Sequence, residues 1–224
     1  MQQHLLIDAD DTLWENNIYF EYAIKAFIDF LNHSTLTHDE IRAIINEAER
    51  TMGYGTTSFA RSLQHTYHRL AEHEVRNEDL LRIKGFASQI TQHPIQLLTE
   101  VKETLAYLTS RHDLILVTKG NQDEQRLKID NSGLGTYFRD TLIVEEKDTE
   151  TYQQIITTLE LDPGKSWMIG NSPRSDINPA LAAGLRAVFI PHPHTWQLEV
   201  ESLSNSHDEH LLILSSFAEL RNHF

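Results

Sequence analysis

Three carboxylates and a hydroxyl follow the first apolar run of the chain. Leu5 to Ile7 have the pattern of a short buried strand, and Asp8, Asp10, Asp11 and Thr12 come directly after it. Carboxylates this close together repel one another unless a cation lies among them. Two chemistries need such a cluster: a hard metal ion held by oxygen ligands, and an aspartate that acts as a nucleophile. An acidic turn that merely ends a strand is the alternative at this point.

The composition is ordinary for a soluble globular protein, but the charge is strongly negative. The 224 residues are 40% hydrophobic and 23% charged, with a formal net charge of −14. This charge disfavours nucleic acid backbones and anionic membranes as partners. No apolar run approaches the ~20 residues that span a bilayer. A small phosphorylated substrate is compatible with the charge if a metal ion, lysine or arginine neutralises it locally.

The chain contains no cysteine, which excludes disulfides and thiolate chemistry. This composition fits a reducing compartment. The N-terminus also lacks the basic and apolar regions of a secretory signal peptide. We therefore expect a cytoplasmic protein, for which a monomer and a homodimer both remain open.

Hydrophobic spacing divides the chain into two regions. Residues 15–95 contain four amphipathic stretches with helical spacing and no strand, which predicts a small helical bundle. Thr37–Glu40 has the form of a capping box for the second helix, and Asn77 is expected to cap the fourth. Residues 96–224 instead alternate short buried strands with helices, and Ser216 is expected to begin a capped closing helix.

Alternation of this kind predicts a parallel sheet covered by helices on both faces. Leu5 to Ile7 has the same buried character as the later strands, so it belongs to the same sheet. The predicted fold class is α/β, a doubly wound, Rossmann-like parallel sheet in residues 1–14 and 96–224. The helical region, residues 15–95, is then an insertion after the first strand.

Ligands of open parallel sheets bind beyond the carboxyl ends of the strands. The polar residues that follow the next three predicted strands are Thr118, Lys119, Gly120 and Asn121, then Glu145, Glu146 and Lys147, and finally Gly170, Asn171, Ser172 and Asp176. Each residue alone is an ordinary cap or surface side chain. Together with the first cluster they predict one site at one edge of the sheet.

These motifs resemble those of the haloacid dehalogenase-like superfamily, most closely its phosphatases with a helical cap inserted after the first strand. Asp8-Ala9-Asp10-Asp11-Thr12 matches the first motif of that family, Asp-x-Asp-x-Thr. Thr118 matches the second motif and Lys147 the third. The segment from Gly170 to Asp176 matches the fourth motif in its spacing.

The resemblance implies a role for each matched residue. Asp8 is the expected nucleophile, forming an aspartyl-phosphate, and Asp10 the general acid and base. Thr118 is expected to hold phosphate oxygens, with Lys119 and Gly120 beside it. Lys147 is expected to neutralise the charge on Asp8 and on the transferring phosphoryl group.

The resemblance also implies Mg²⁺ as cofactor. The expected ligands are Asp8, the backbone carbonyl of Asp10, Asn171 and Asp176. The fourth motif of the family most often begins Gly-Asp, and Asn171 in that place removes one negative charge.

The expected function is Mg²⁺-dependent hydrolysis of a phosphate monoester of a small metabolite. Two alternatives remain. An impaired, phosphate-binding regulatory protein would account for Asn171, and a metal-independent 2-haloacid dehalogenase would not need Asp10.

Three further features lie outside the residues that define the four motifs. Tyr54, in the glycine-rich break between two cap helices, is expected to contact the substrate. His192-Pro193-His194 is interpreted as an ordered loop, since no third histidine or cysteine is near it in sequence. Asp11 is expected to face outward from its turn.

Overall fold

The computed structural model describes residues 2–204 and 209–224. The described chain divides into two compact units, one containing the residues up to Glu15 together with Ile95–Phe224 and the other Asn16–Pro94. Among the described residues, no helix is both long and apolar enough to cross a lipid bilayer.

Six strands in the described part of the first unit form one parallel sheet. In chain order they are β1 (His4–Ile7), β2 (Asp113–Lys119), β3 (Asp140–Val144), β4 (Ser166–Gly170), β5 (Arg186–Phe189) and β6 (Leu211–Ile213). Their order across the sheet is β3-β2-β1-β4-β5-β6. The first strand is therefore central, although it is separated from the second by the whole helical insertion.

Helices cover both faces of this sheet. They are α5 (Val101–Thr109), α6 (Gln122–Ser132), α7 (Thr149–Thr158) and α8 (Asn178–Ala182). Leu5 and Ile7 pack in one apolar cluster with residues of α5 and α6. Leu6 points to the opposite face and packs with residues of α7 and α8. The alternation of side chains along a strand thus builds a core on each face, and the predicted doubly wound fold is confirmed.

The second unit contains four helices. They are α1 (Asn17–Leu31), α2 (His38–Met52), α3 (Thr56–Leu70) and α4 (Asn77–Ile90). The predicted capping box at Thr37 is present, because its hydroxyl accepts from the Glu40 N–H and the Glu40 carboxylate accepts from the Thr37 N–H. Apolar residues from all four helices share one core.

Two predicted helix starts differ from the structure. Asn77 is the first residue of α4 and not its cap; the Asp79 carboxylate accepts the preceding Arg76 N–H at 3.1 Å. The closing segment Phe217–Asn222 is a 3₁₀ helix, and the Ser216 side chain makes no capping hydrogen bond. Both signals were local sequence patterns, which tertiary packing overrides at helix ends.

Strand register brings the polar residues to one edge of the sheet. Ile7 lies opposite Leu116 of β2 and opposite Ile169 of β4. The residues that follow these three strands therefore leave the sheet on the same side. β2 continues through Lys119, so Thr118 and Lys119 are its last two residues and not part of the loop that follows.

Candidate active site

A buried ion triad lies at the carboxyl edge of the sheet. Lys147 Nζ lies 2.5 Å from Asp8 Oδ1 and 2.8 Å from Asp176 Oδ1. All three side chains are buried. Asp8 follows β1, Lys147 follows β3, and Asp176 lies in the π-helical turn Pro173–Ile177 that leads into α8. The sheet thus assembles the triad from three distant segments.

Burial and the charges of the triad shift the pKa values of Asp8 and Lys147. Burial and the neighbouring Asp176 carboxylate raise the pKa of Asp8 to about 7, and the Lys147 ammonium offsets part of that rise. Burial alone would lower the pKa of Lys147, but the carboxylates of Asp176 and Asp8 raise it. The site therefore favours one positive charge and holds two negative charges with difficulty, which makes it receptive to a further cation.

Gly170, the last residue of β4, leaves the space that the Asp176 side chain occupies. A Cβ atom on Gly170 would lie 2.2 Å from Asp176 Oδ2. The same oxygen accepts the Ser172 N–H at 2.9 Å. Only glycine leaves room for a carboxylate against the end of the strand, so the glycine of the fourth motif has a steric reason.

Thr12 connects Asp8 with Asn171. The Thr12 hydroxyl donates to Asp8 Oδ2 at 2.9 Å and also lies 3.4 Å from Asn171 Oδ1. The Asn171 amide N–H₂ donates to Thr195 Oγ1 at 3.1 Å, and the Thr195 hydroxyl donates to the His192 carbonyl at 3.0 Å. Since Thr195 uses its hydrogen on His192, it must accept from Asn171, which directs the Asn171 carbonyl oxygen toward Thr12 and Asp8.

The donor set fits a hard cation. Carboxylate oxygens of Asp8 and Asp176 and the amide oxygen of Asn171 are ligands of the type that Mg²⁺ prefers. Asn171 supplies an oxygen without adding a third negative charge beside Asp8 and Asp176. The carboxylate of Asp10 is hydrogen-bonded to other side chains, and the expected metal contact through its backbone carbonyl stays a prediction.

The Asp10 carboxylate forms an ion pair with Lys128, a residue that sequence reasoning missed. Lys128 Nζ lies 2.8 Å from Asp10 Oδ2 and 3.0 Å from Oδ1. Gln125 Nε2 donates to Oδ2 at 2.9 Å and the Trp14 indole N–H to Oδ1 at 2.7 Å. Burial works to raise the pKa of Asp10, but the Lys128 ammonium and these hydrogen bonds hold it below its ordinary value.

A sequence signal for these partners existed but is weak. Gln125 and Lys128 are three residues apart in α6, so they share one helix face. The helix is polar almost throughout, with Gln125 and Ile129 as its buried residues. A lysine in such a helix is usually exposed to solvent. Lys128 meets the Asp10 carboxylate only because the folded sheet brings β1 close to α6.

Of the other predicted phosphate-binding groups, Thr118 is buried at the end of β2. The Lys119 ammonium donates to Glu199 Oε1 at 2.7 Å, Ser175 Oγ at 2.7 Å and Glu146 Oε1 at 3.1 Å. The Gly120 N–H donates to the Val144 carbonyl at 3.1 Å. Lys119 and Gly120 therefore donate to protein acceptors in this conformation, and their expected role in phosphate binding stays a prediction.

Tyr54 lies in the helical unit, between α2 and α3, and is partly buried there. Its expected role as a substrate contact stays a prediction.

A second cluster of ligand-type side chains surrounds His192. Its Nε2 lies 3.3 Å from Glu15 Oε2, and its Nδ1 lies 3.7 Å from Asp11 Oδ1. One ligand atom from each of these three residues lies within 4.8 Å of the others, a spacing compatible with a metal ion. The His192 Nδ1 atom also accepts the His194 N–H at 3.3 Å.

This cluster corrects two interpretations of the sequence. Asp11 does not face outward; it is buried, with a left-handed φ of 59°, and points toward His192. The histidine loop also has nearby carboxylates that could complete a metal site. They were missed because they lie about 180 positions away in the sequence, and only the sheet brings β1 and the segment after β5 together.

The motifs, their geometry and comparison with known proteins agree on the family. The sequence profile described as haloacid dehalogenase-like hydrolase matches residues 3–184. The chain belongs to the haloacid dehalogenase-like hydrolase family. The predicted family membership is confirmed.

The chain is also similar to individual known proteins. A haloacid dehalogenase-like family hydrolase from Xanthomonas campestris is 27% identical, with a TM-score of 0.84 over 99% of this chain and 94% of that one. Phosphoserine phosphatase of Thermus thermophilus is 30% identical over 34% of this chain, and N-acylneuraminate-9-phosphatase of Mus musculus is 33% identical over 43%. The chain spans only 33% and 40% of the length of these two curated relatives.

The steric role of the motif glycine in this haloacid dehalogenase-like hydrolase predicts the effect of Gly170→Ala. The added methyl group must displace Asp176 or the end of β4, so we expect the free energy of unfolding to fall by about 1–3 kcal/mol. Urea denaturation measures this change. Gly85→Ala is the matched control, because a Cβ there meets nothing within 4 Å and the substitution lies inside α4. The control should be neutral or stabilising by up to about 1 kcal/mol, and equal effects of the two variants would contradict the steric role.

The raised pKa of Asp8 predicts how Asp8→Asn changes stability with pH in EDTA. Between about pH 4 and pH 7 the folded state retains a proton on Asp8 that the unfolded state has lost, so the stability of the native protein falls as pH rises through this window. The amide side chain of the variant cannot ionise. The free energy of unfolding of Asp8→Asn, relative to that of wild type, should therefore be larger at pH 8 than at pH 5, by up to a few kcal/mol.

Urea denaturation at the two pH values tests this expectation. Asp130→Asn, which neutralises an exposed carboxylate of α6, is the control and should show the same difference from wild type at both. If the stability difference between Asp8→Asn and wild type is also the same at both pH values, the pKa of Asp8 is not raised in the metal-free protein.

Proposed function

We propose that this hydrolase cleaves phosphate monoesters of small metabolites with Mg²⁺ as cofactor, through a phosphorylated Asp8. The observation that carries the proposal is the ion triad. A carboxylate that follows the central strand is held between Lys147 and the Thr12 hydroxyl, and a second acid stands two residues away. The phosphatases among the relatives support the same reaction class.

In the first step, an Asp8 carboxylate oxygen attacks phosphorus. A bond forms between that oxygen and phosphorus, the bond from phosphorus to the leaving oxygen breaks, and Asp10 supplies the proton that the leaving oxygen takes up. Lys147 stays beside Asp8 and offsets negative charge on the phosphoryl oxygens. Thr118, at the end of β2, would donate its hydroxyl to one of those oxygens.

In the second step, water attacks the phosphorus of the aspartyl-phosphate. Asp10 accepts the proton of the water, inorganic phosphate leaves, and Asp8 returns to its carboxylate form. The ionised state that Lys128, Gln125 and Trp14 favour at Asp10 is the one this step requires, whereas the first step requires Asp10 to carry a proton. Mg²⁺, held by Asp8, Asn171, Asp176 and the Asp10 carbonyl, would neutralise charge between nucleophile and substrate.

The direct test is hydrolysis of p-nitrophenyl phosphate by the purified protein. We expect turnover that requires Mg²⁺, that EDTA abolishes, and that Asp8→Asn lowers by at least roughly a thousandfold, because the variant lacks the nucleophile. Asp130→Asn should leave the rate unchanged.

Two results would overturn the proposal. One is an inert wild-type protein across a panel of phosphorylated metabolites with Mg²⁺. The other is halide release from 2-haloacids without metal and with tolerance of Asp10→Asn, which would identify a dehalogenase.

Asn171 supports a second candidate function, a phosphate-binding regulatory protein with an impaired site. The Asn171→Asp variant separates the two. For a competent enzyme we expect a lower Mg²⁺ concentration at half-maximal rate, by roughly tenfold, since the site gains a negative charge, with kcat changed by less than about threefold. A gain in kcat of about a hundredfold or more would instead favour the impaired protein. Mg²⁺ titration of the initial rate gives both quantities.

A further inference from the structure

Lys128 contacts the acid–base residue of the proposed reaction, yet it belongs to none of the four motifs. Its ammonium reaches both carboxylate oxygens of Asp10. The two side chains are about one-fifth exposed, 21% for Lys128 and 22% for Asp10. A largely buried ion pair is weak evidence for a contribution to stability, so the reason for this pair has to be sought in its geometry.

We propose that Lys128 is a positioning residue for Asp10 and that Gln125 assists it. Lys128 holds the Asp10 carboxylate in one orientation beside Asp8 through both steps of the reaction. The inference rests on the proposed phosphatase function, since it assigns a role within that reaction.

The orientation of the Gln125 amide is the first argument. Its two N–H groups donate to Asp10 Oδ2 at 2.9 Å and to the Lys119 carbonyl at 3.1 Å. This arrangement leaves Gln125 Oε1 buried and without a hydrogen-bond partner. Leaving a buried acceptor unpaired costs about 1–3 kcal/mol, whereas an apolar side chain would avoid that cost. The amide is turned in the direction that serves Asp10, which indicates a functional constraint at this place.

The anchoring of α6 is the second argument. The Asn121 side chain caps the helix by accepting the Asp123 and Glu124 N–H groups at 3.0 and 3.1 Å. Gln125 then ties the first turn of the helix to the last residue of β2. Lys128 is one turn further along the same face. Helix α6, which contains Gln125 and Lys128, is thus hydrogen-bonded directly to β2, the strand that contains Thr118.

The distribution of charge is the third argument. Asp8 and Asp10 repel each other, and Lys147 is already shared by Asp8 and Asp176. Without a cation of its own, the Asp10 side chain would be held against this repulsion only by its hydrogen bonds from Gln125 and Trp14. Lys128 adds an attractive charge that opposes it. Its ammonium has three donors on a flexible stem, so it can keep one carboxylate oxygen while the other serves the substrate.

The kinetic test compares Lys128→Met, Lys128→Arg and Arg126→Met in the otherwise intact protein. Arg126 is an exposed cation of the same helix, so Arg126→Met controls for the loss of charge and of a long side chain. We expect Lys128→Met to lower kcat for p-nitrophenyl phosphate by roughly tenfold to a hundredfold, with KM within about twofold, because a misplaced acid–base group loses part of its contribution. Lys128→Arg should restore most of kcat, and Arg126→Met should stay within about twofold of wild type.

A spectroscopic test needs no activity. The Trp14 indole N–H donates to the same carboxylate, and the chain has three tryptophans. In ¹H–¹⁵N spectra, Trp14→Phe assigns the Trp14 indole signal. We expect Lys128→Met to shift this signal and Arg126→Met to leave it in place, since only the first variant removes a contact of the Asp10 carboxylate.

The outcomes separate this inference from the proposed function. An unshifted Trp14 signal in Lys128→Met, or an unchanged kcat, overturns the positioning role even if the protein is an active phosphatase. Equal losses of melting temperature and kcat in Lys128→Met and Arg126→Met also overturn it, because they indicate a structural role. If wild type hydrolyses no phosphate ester while the Trp14 signal shifts as expected, the proposed reaction fails and the contact between Lys128 and Asp10 stands.

Discussion

Lys147 lies between Asp8 and Asp176 in an interior that excludes most water, and the rest of the site depends on this contact. A single ammonium cannot fully compensate two buried carboxylates, so the triad retains an excess negative charge. That excess raises the pKa of Asp8 and makes the site receptive to a cation. Removing Lys147 would leave two buried carboxylates without their cation, which explains why the segments that follow β1, β3 and β4 have to meet accurately.

A second carboxylate and lysine pair stands beside the triad. Asp10 is two residues from Asp8, but its partner is Lys128 of α6 and not Lys147. The two aspartates of the first motif therefore experience different environments. Asp8 has a raised pKa and Asp10 a lowered one. The lowered pKa of Asp10 suits the base of the second proposed step, and a cation bound beside Asp8 would favour the ionised nucleophile of the first.

Several groups near the site are placed at a cost to stability. Asp11 adopts a left-handed backbone conformation that is unfavourable for a residue with a side chain. Gln125 leaves a buried oxygen without a partner. The Asp176 carboxylate occupies the space that a Cβ atom on Gly170 would fill. These costs lie in the segments that follow β1, β2 and β4, whereas the buried faces of the sheet are apolar and well packed.

The sequence alone determined the fold class, the family and the strand-end residues Asp8, Asp10, Thr118 and Lys147. It could do so because buried strands are short apolar runs, and because parallel strands place the residues that follow them at one edge. Only the tertiary structure decided which partner each charged side chain takes. Lys128 and His192 meet Asp10 and Asp11 across more than a hundred positions, and Lys119 turns to Glu199. Long polar side chains on helices and loops leave no periodic signal in sequence, since their partners are set by the distances that the folded sheet creates.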